Sequence, residues 1–241
     1  MRDASGRALS MGDSFSFRQF TVRQDRCGMK VGTDGVLLGA WASGGCRILD
    51  IGTGTGLVAL MMAQRFPQAC VTAVDIDGAA CSQARDNVAA SPFARRIDVV
   101  ETRIQDYVSA APFDCIVANP PYYSFGMRNP DWRRSVARHT DTLTFAELFC
   151  SVARLLSGDG VFSIVVPSEA VDAVVEHSCY VGLLLSRRCD IRTTLRRPSR
   201  RALLAFAWRR DAVPDVREAV LQTADGGRSP WYDALTKDFY L

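Results

Sequence analysis

Apolar positions along the chain follow two rhythms. Short continuous apolar runs, of the kind left by strands buried on both faces, alternate with stretches whose apolar residues recur every three or four positions. Arg47–Ile51 predicts a first strand, Val71–Val74 a second, Ile97–Val100 a third and Phe113–Ala118 a fourth. Between them, Gly56–Phe66 places Leu57, Leu60, Met61 and Ala63 at helical spacing, and Gly78–Ala90 predicts a second helix ended by Ser91-Pro92. Phe145–Leu156 predicts a helix, Ser157–Gly160 a turn and Val161–Val166 a strand. A helix from Ser168 and two strands, Arg187–Leu195 and Arg201–Trp208, complete the series. The Arg196–Arg200 link contains Pro198 and reads as a hairpin turn.

Strands alternating with helices imply right-handed crossovers and an α/β fold with a Rossmann-like, doubly wound sheet of seven strands closed by a C-terminal antiparallel hairpin. With 241 residues, 48% of them hydrophobic, the chain suits one large domain over residues 1–241. Residues 1–45 precede the first strand, 46–210 form the core, and 211–241 form a tail entered through a linker, Asp211–Asp215. The longest apolar runs, such as Leu57–Ala63 and Val161–Val166, fall far short of the roughly 20 residues that cross a bilayer. No apolar stretch follows the first charges, so a cytoplasmic location is expected. The eight cysteines are scattered without a CxxC pair, which favours buried, reduced thiols over disulfides or a metal site.

A doubly wound sheet binds ligands at the carboxyl ends of its strands, and two motifs are expected there. The first, Asp50-Ile51-Gly52-Thr53-Gly54-Thr55-Gly56, follows the first strand and opens the first helix of the core. Its glycines let the backbone turn sharply and approach a ligand, in a GxGxG spacing distinct from the GxGxxG of dinucleotide binders. Asp50 can receive the ammonium group of a bound amino acid. Asp75, at the end of the second strand, can bind both hydroxyls of a ribose, and Ile76 beside it can cover an adenine. Together these features point to S-adenosylmethionine, whose sulfonium activates a methyl group.

The second motif, Asn119-Pro120-Pro121-Tyr122, follows the fourth strand. An amino group conjugated to a ring or a carbonyl is a poor nucleophile. The Asn119 side-chain oxygen and the Pro120 carbonyl can each accept one of its N–H groups, hold it in line with the methyl group and stabilise the positive charge that develops. Pro120 and Pro121 stiffen the backbone that carries these acceptors, and Tyr122 offers a stacking face. No strong base is required, because the proton leaves after methylation. The tetrapeptide alone does not distinguish an adenine amino group from a glutamine amide.

Charge adds one further clue. All but two of the 29 basic residues are arginine. They crowd two stretches, one with Arg128, Arg133, Arg134 and Arg138, the other with Arg187, Arg188, Arg192, Arg196, Arg197, Arg200 and Arg201. Guanidinium forks grip phosphates, so a polyanionic substrate is one reading; a solvated face or skewed base composition is the other.

The two motifs resemble the NPPY-type class I S-adenosylmethionine-dependent methyltransferases, whose Rossmann-like sheets end in such a hairpin. A narrower resemblance lies at the chain ends. Phe17–Val22, Met29–Trp41 and Leu235–Leu241 are similar to the bacterial tRNA (valine) adenine-37 N6-methyltransferase family. That likeness implies N6-methylation of adenine 37 in valine tRNA, with tRNA as partner; the scattered cysteines predict no metal, and the oligomeric state stays open. It implies that the segment before the first strand covers the cofactor's methionine end, with Lys30, Thr33 and Asp34 holding it; for Lys30 and Asp34 the alternative is a salt bridge at a helix start. Arg133, Arg134, Arg196, Arg197, Arg200 and Arg201 would hold phosphates around the target base, which Phe125 would flank unless it is a core residue. Relatives often carry an aspartate for the cofactor adenine where this chain has Arg103, leaving Asp106, or Ile104 with backbone groups, as candidates. Two other substrates share the chemistry: release-factor glutamine, whose methyltransferases usually carry a separate N-terminal helical domain, and purines of rRNA.

Overall fold

The computed structural model describes residues 13–27, 30–120, 143–208 and 213–241. A short hairpin opens it, β1 (Ser14–Ser16) paired antiparallel with β2 (Thr21–Arg23). Helix α1 (Thr33–Trp41) follows, and its residues from Gly35 onward are all buried. The core then alternates as expected: β3 (Arg47–Ile51), α2 (Leu57–Arg65), β4 (Cys70–Asp75), α3 (Gly78–Ala89), β5 (Ile97–Glu101) and β6 (Phe113–Ala118). After the undescribed residues 121–142 come α4 (Phe145–Leu155), β7 (Leu156–Pro167), α5 (Val171–Tyr180), β8 (Leu184–Arg192), β9 (Ser199–Ala207), β10 (Asp215–Val220) and α6 (Pro230–Thr236).

The large sheet has the order β10-β8-β9-β7-β6-β3-β4-β5. Strands β5, β4, β3, β6 and β7 run parallel, and β9 is antiparallel to both β7 and β8. This is the doubly wound arrangement with its closing hairpin. The strand order reverses at β3, between β6 and β4, which puts the switch point beside the glycine-rich loop. Two apolar layers fill the faces. Trp41, Leu60, Met61, Val117, Leu203 and Ala205 belong to the layer under α1, α2 and α6. Phe113, Phe149, Phe162, Ile164, Leu204 and Phe206 belong to the layer under α4 and α5. In the second layer Phe149 meets Phe162 and Phe206 edge-on, both at 5.4 Å between ring centroids, a favoured aromatic geometry.

Three expectations need correction. The sheet has an eighth strand: Asp215, read as linker, begins β10, which pairs parallel with β8. Ser157–Gly160, read as a turn, lies within β7, which begins at Leu156 opposite Phe113 and shifts register before Val161 meets Cys115. Four cysteines are exposed: Cys46 and Cys70 at strand starts, Cys150 and Cys179 on helix surfaces. Apolar neighbours in sequence do not bury a residue where its strand starts or its helix face turns outward. All eight cysteines are unbridged. Among the described residues no helix is long and apolar enough to cross a membrane, and no group of His, Cys, Asp or Glu is placed to hold a metal.

The two ends of the chain meet. Phe239 is buried, its carbonyl accepts from Arg18 N at 2.8 Å, and Tyr240 stacks on Phe17 with ring centroids 6.0 Å apart. The Tyr232 and Tyr240 hydroxyls lie 2.8 Å apart. The tail therefore braces the opening hairpin.

Candidate cofactor and substrate site

The glycine-rich loop leaves β3 at the carboxyl edge. Gly52, Gly54 and Gly56 have φ of 69°, 56° and 82°, a region in which only glycine is unstrained. Gly52 N and Thr53 N donate to Val74 O at 2.8 and 3.1 Å, tying the loop to β4. A methyl group added to Gly52 would meet nothing within 4 Å, so the loop bounds open space.

Two carboxylates wire this loop. Asp50 lies beneath it, 1% exposed. Its Oδ2 accepts from the Thr53 hydroxyl at 2.6 Å and from Ala59 N in the first turn of α2 at 3.1 Å. Burial pushes its pKa up to about 7, against the opposing pull of those two hydrogen bonds. Asp75 ends β4, partly exposed. Its Oδ2 accepts from Gly54 N at 2.8 Å and its Oδ1 from Asp77 N at 3.0 Å. Burial raises its pKa as well, opposed by the backbone N–H groups. Each oxygen keeps a lone pair that a ligand hydroxyl can use. Ile76, just after the strand end, is 48% exposed and presents an apolar surface to solvent.

Further along the edge the candidates diverge. Ile104 is 4% exposed and packs in the core layer that holds Leu49, Ile51 and Val74, so it has little face for an adenine. Asp106 is exposed. Their loop is gripped by a residue that sequence reasoning missed: Arg154 of α4 donates to the carbonyls of Ile104, Gln105 and Tyr107 at 3.0, 3.2 and 2.7 Å.

Asn119 follows β6, next to the switch point, partly buried, with Pro120 buried behind it. Pro121, Tyr122, Phe125, Arg133 and Arg134 lie outside the described residues. Helix α1 reaches this point from the other side. A methyl group on Gly35 would lie 3.0 Å from Leu57 Cδ2 and 3.6 Å from Asn119 Nδ2. Its first turn, with Thr33 and Asp34, thus stands between the start of α2 and the asparagine. Asp34 forms an ion pair with Arg201, Oδ1···Nη1 2.5 Å.

The segment before α1 is held by two buried amides that sequence reasoning also missed. Asn87, 1% exposed on α3, donates to Arg23 O and Thr55 O, both at 2.8 Å, and accepts from Arg23 N. Gln83, one helical turn earlier, accepts from Arg26 N at 3.0 Å. Gln24 in turn accepts from Val31 N at 2.7 Å. The sequence signal was present: two amides four apart, with Ala80 and Ala84, on the buried face of α3.

The arginine-rich stretch divides. Arg187 stacks over Trp41 at 4.2 Å, Arg188 pairs with Asp190 at 2.9 Å, and Arg192 pairs with Glu218 at 3.0 Å. Arg201 pairs with Asp34. Arg196, Arg197 and Arg200 are exposed at the β8–β9 turn and pair with no carboxylate among the described residues. Because Arg201 sits opposite Pro167 at the end of β7, this turn lies on the same edge as Asn119.

Comparison with known proteins agrees with this geometry. Residues 36–173 match the family described as "Methyltransferase small domain". A tRNA1(Val) (adenine(37)-N6)-methyltransferase of Bacteroides thetaiotaomicron is 46% identical over 94% of this chain and 97% of its own. That of Phocaeicola vulgatus is 48% identical over 94% and 97%, and that of Pseudoalteromonas translucida 42% over 94% and 98%. Among solved structures, a predicted O-methyltransferase from Agrobacterium tumefaciens superposes with a TM-score of 0.64 at 20% identity, covering 86% of this chain and 96% of the other. A glycopeptide N-methyltransferase complexed with S-adenosylmethionine gives 0.55 at 13% identity, covering 75% and 90%. At those identities the structural likeness concerns the fold.

Proposed function

The chain belongs to the family of tRNA1(Val) (adenine(37)-N6)-methyltransferases, and from that premise we propose that it methylates the N6 amino group of adenine 37 in valine tRNA. It is an S-adenosylmethionine-dependent N-methyltransferase. The observation that carries the reading is Asn119 at the end of β6, beside the open glycine loop and under the first turn of α1.

The residues present fit the cofactor. The loop at Gly52 leaves room where a ligand would lie against backbone, Asp75 presents a partly exposed carboxylate, and Ile76 presents an exposed apolar face. Asp75 would hold the ribose hydroxyls and Ile76 the adenine, with the exposed Asp106 a candidate for its edge. The loop from Gly52 through Gly56 would carry the methionine portion, with Asp50 and Thr53 beneath it and Lys30, Thr33 and Asp34 above. When bound, S-adenosylmethionine supplies an electrophilic methyl group.

The remaining chemistry belongs to the chain. The Asn119 carboxamide oxygen and the Pro120 carbonyl accept the two N–H groups of the target amine. This fixes the nitrogen's orientation and stabilises its developing positive charge, an effect larger in the transition state than in the ground state. The released proton goes to solvent. Tyr122 would stack on the base, a role that rests on sequence alone. An anticodon loop presents unpaired bases, so bringing one into the site costs less than opening a helix.

The test is mass spectrometry of nucleosides from an unmodified valine tRNA transcript incubated with enzyme and S-adenosylmethionine. N6-methyladenosine at position 37 is expected. Its absence, with methylation of a release-factor glutamine instead, overturns the substrate.

A further inference from the structure

Arg201 stands out among the hairpin arginines because its position is determined twice. Along β9 the side chains alternate, and Leu203 and Ala205, on the same face as Arg201, belong to the layer under α1. Arg201 therefore points toward α1, where Asp34 receives it. The strand start is itself pinned: the Ser199 hydroxyl lies 3.1 Å from the carbonyls of Ile191 and Arg201 and 3.0 Å from the Ser168 hydroxyl. The guanidinium is thus mounted on a rigid ladder between β7 and β8.

The other partner stands on an exposed footing. Helix α1 begins at Gly32 without a side-chain cap, and Asp34 is the acidic residue of its first turn. That turn leads into Gly35, which packs against Leu57 and the Asn119 amide. Side-chain exposures of 24% for Arg201 and 20% for Asp34 make the pair more than a solvent-facing contact, which would contribute little.

We propose that Arg201 is a positioning residue, a strut from the β8–β9 hairpin that holds the first turn of α1 over the cofactor loop and against Asn119. The strut links the half of the edge that carries the exposed arginines to the half that holds S-adenosylmethionine. Arg201 then contributes no phosphate contact, unlike Arg196, Arg197 and Arg200. The inference rests on the proposed methyltransferase site, but its first test needs no RNA substrate.

Affinity for S-adenosylhomocysteine is measured by calorimetry for wild type, Arg201→Gln, Asp34→Asn, the double variant, and the exchanged pair Asp34→Arg/Arg201→Asp. Each single variant should bind about three- to tenfold more weakly, and the double variant no more weakly than the poorer single one, as for residues that act through one contact. Thermal melts of all variants report folding, so an affinity loss in a variant that melts with wild type is not an unfolding artefact. Recovery in the exchanged pair supports the strut and means that Asp34 acts through Arg201 rather than on the cofactor directly. Weakening in Asp34→Asn with wild-type affinity in Arg201→Gln would mean that Asp34 acts on the cofactor alone, and the strut is overturned. A second arm measures binding of the valine tRNA transcript against salt. Arg201→Gln should keep the wild-type slope; a slope reduced as much as by Arg200→Gln makes Arg201 a phosphate ligand and also overturns the proposal. If the transcript is not bound, the tRNA reading falls while the calorimetric arm still decides the strut.

Discussion

The two halves of the carboxyl edge are built in opposite ways. On the β3–β4 side, charge is internal: Asp50 and Asp75 accept from backbone N–H groups and from Thr53, and the loop they hold turns through three left-handed glycines. On the β9–β8 side, charge is divided between arginines paired with carboxylates, one stacked on an indole ring, and three at the turn that face solvent. The first half is pre-organised for a small ligand of fixed shape. The second can meet a flexible polyanion, whose phosphates adapt to the guanidinium groups rather than the reverse. Breaking residues in each half should therefore change different observables.

The largest effect is expected between the halves, at Asn119. Asn119→Ala should fold and bind cofactor yet lose about two to three decades of turnover, by analogy with removal of one oxyanion-hole donor. Turnover within about twofold of wild type would remove Asn119 from its positioning role. Next comes Asp75→Ala, which deletes both the carboxylate proposed to accept the ribose hydroxyls and the anchor of Gly54. S-adenosylhomocysteine affinity should fall about ten- to a hundredfold, since hydrogen bonds to charged groups are worth about 1.5–3 kcal/mol each. Calorimetry that shows undiminished binding would dissolve the contrast, because the cofactor half would then not depend on its internal charge.

The hairpin half predicts a smaller, salt-dependent change. Replacing Arg196, Arg197 and Arg200 together with Gln should lower the slope of log affinity for tRNA against log salt by about two, because each phosphate neutralised contributes about 0.7–0.9. Cofactor affinity should stay within twofold. An unchanged slope would return these arginines to the status of a solvated face.

The same contrast explains what could be read from the chain alone. The glycine loop, Asp75 and the NPP turn are local: residues a few positions apart meet because the backbone between them is short. The strands β3 and β6 were legible to the residue because both faces are buried, which leaves continuous apolar runs. Strand β10 was not, because an edge strand reading Asp-Val-Arg-Glu-Ala-Val lacks that signature and its charges protect an open edge. Ser157–Gly160 has turn composition, yet the β6–β7 ladder absorbs it as an irregularity. Arg154, Asn87 and Arg201 act on segments distant in sequence, on Ile104–Tyr107, Arg23 and Asp34, and spacing carries no information about such pairings. Arg201 shares its stretch with Arg196, Arg197 and Arg200, but only Arg201 pairs with Asp34.

The smallest effect tests how the cofactor half tolerates its own buried charge. Asp50 ionises in the folded protein only near pH 7, against 3.8 for an unperturbed carboxyl, because burial penalises the anion. Between those values the folded chain binds more protons at this site than the unfolded chain, so this contribution to stability falls as pH rises. It is fully present below about pH 3.8, is lost progressively up to about pH 7, and is flat above that. Asn at this position has no charge to desolvate and keeps a carbonyl oxygen for Thr53 and Ala59. Asp50→Asn should therefore melt higher relative to wild type at pH 8.5 than at pH 5.5. The difference should be about 1–2 kcal/mol, or a few degrees for a chain of this size. A gap in Tm that does not widen with pH would mean that the anion is compensated within the loop. S-adenosylhomocysteine affinity of the same variant separates the two roles open to Asp50. Weaker binding in a protein that has become more stable assigns the carboxylate to the ligand's ammonium; unchanged binding leaves it as the tie between the loop and α2.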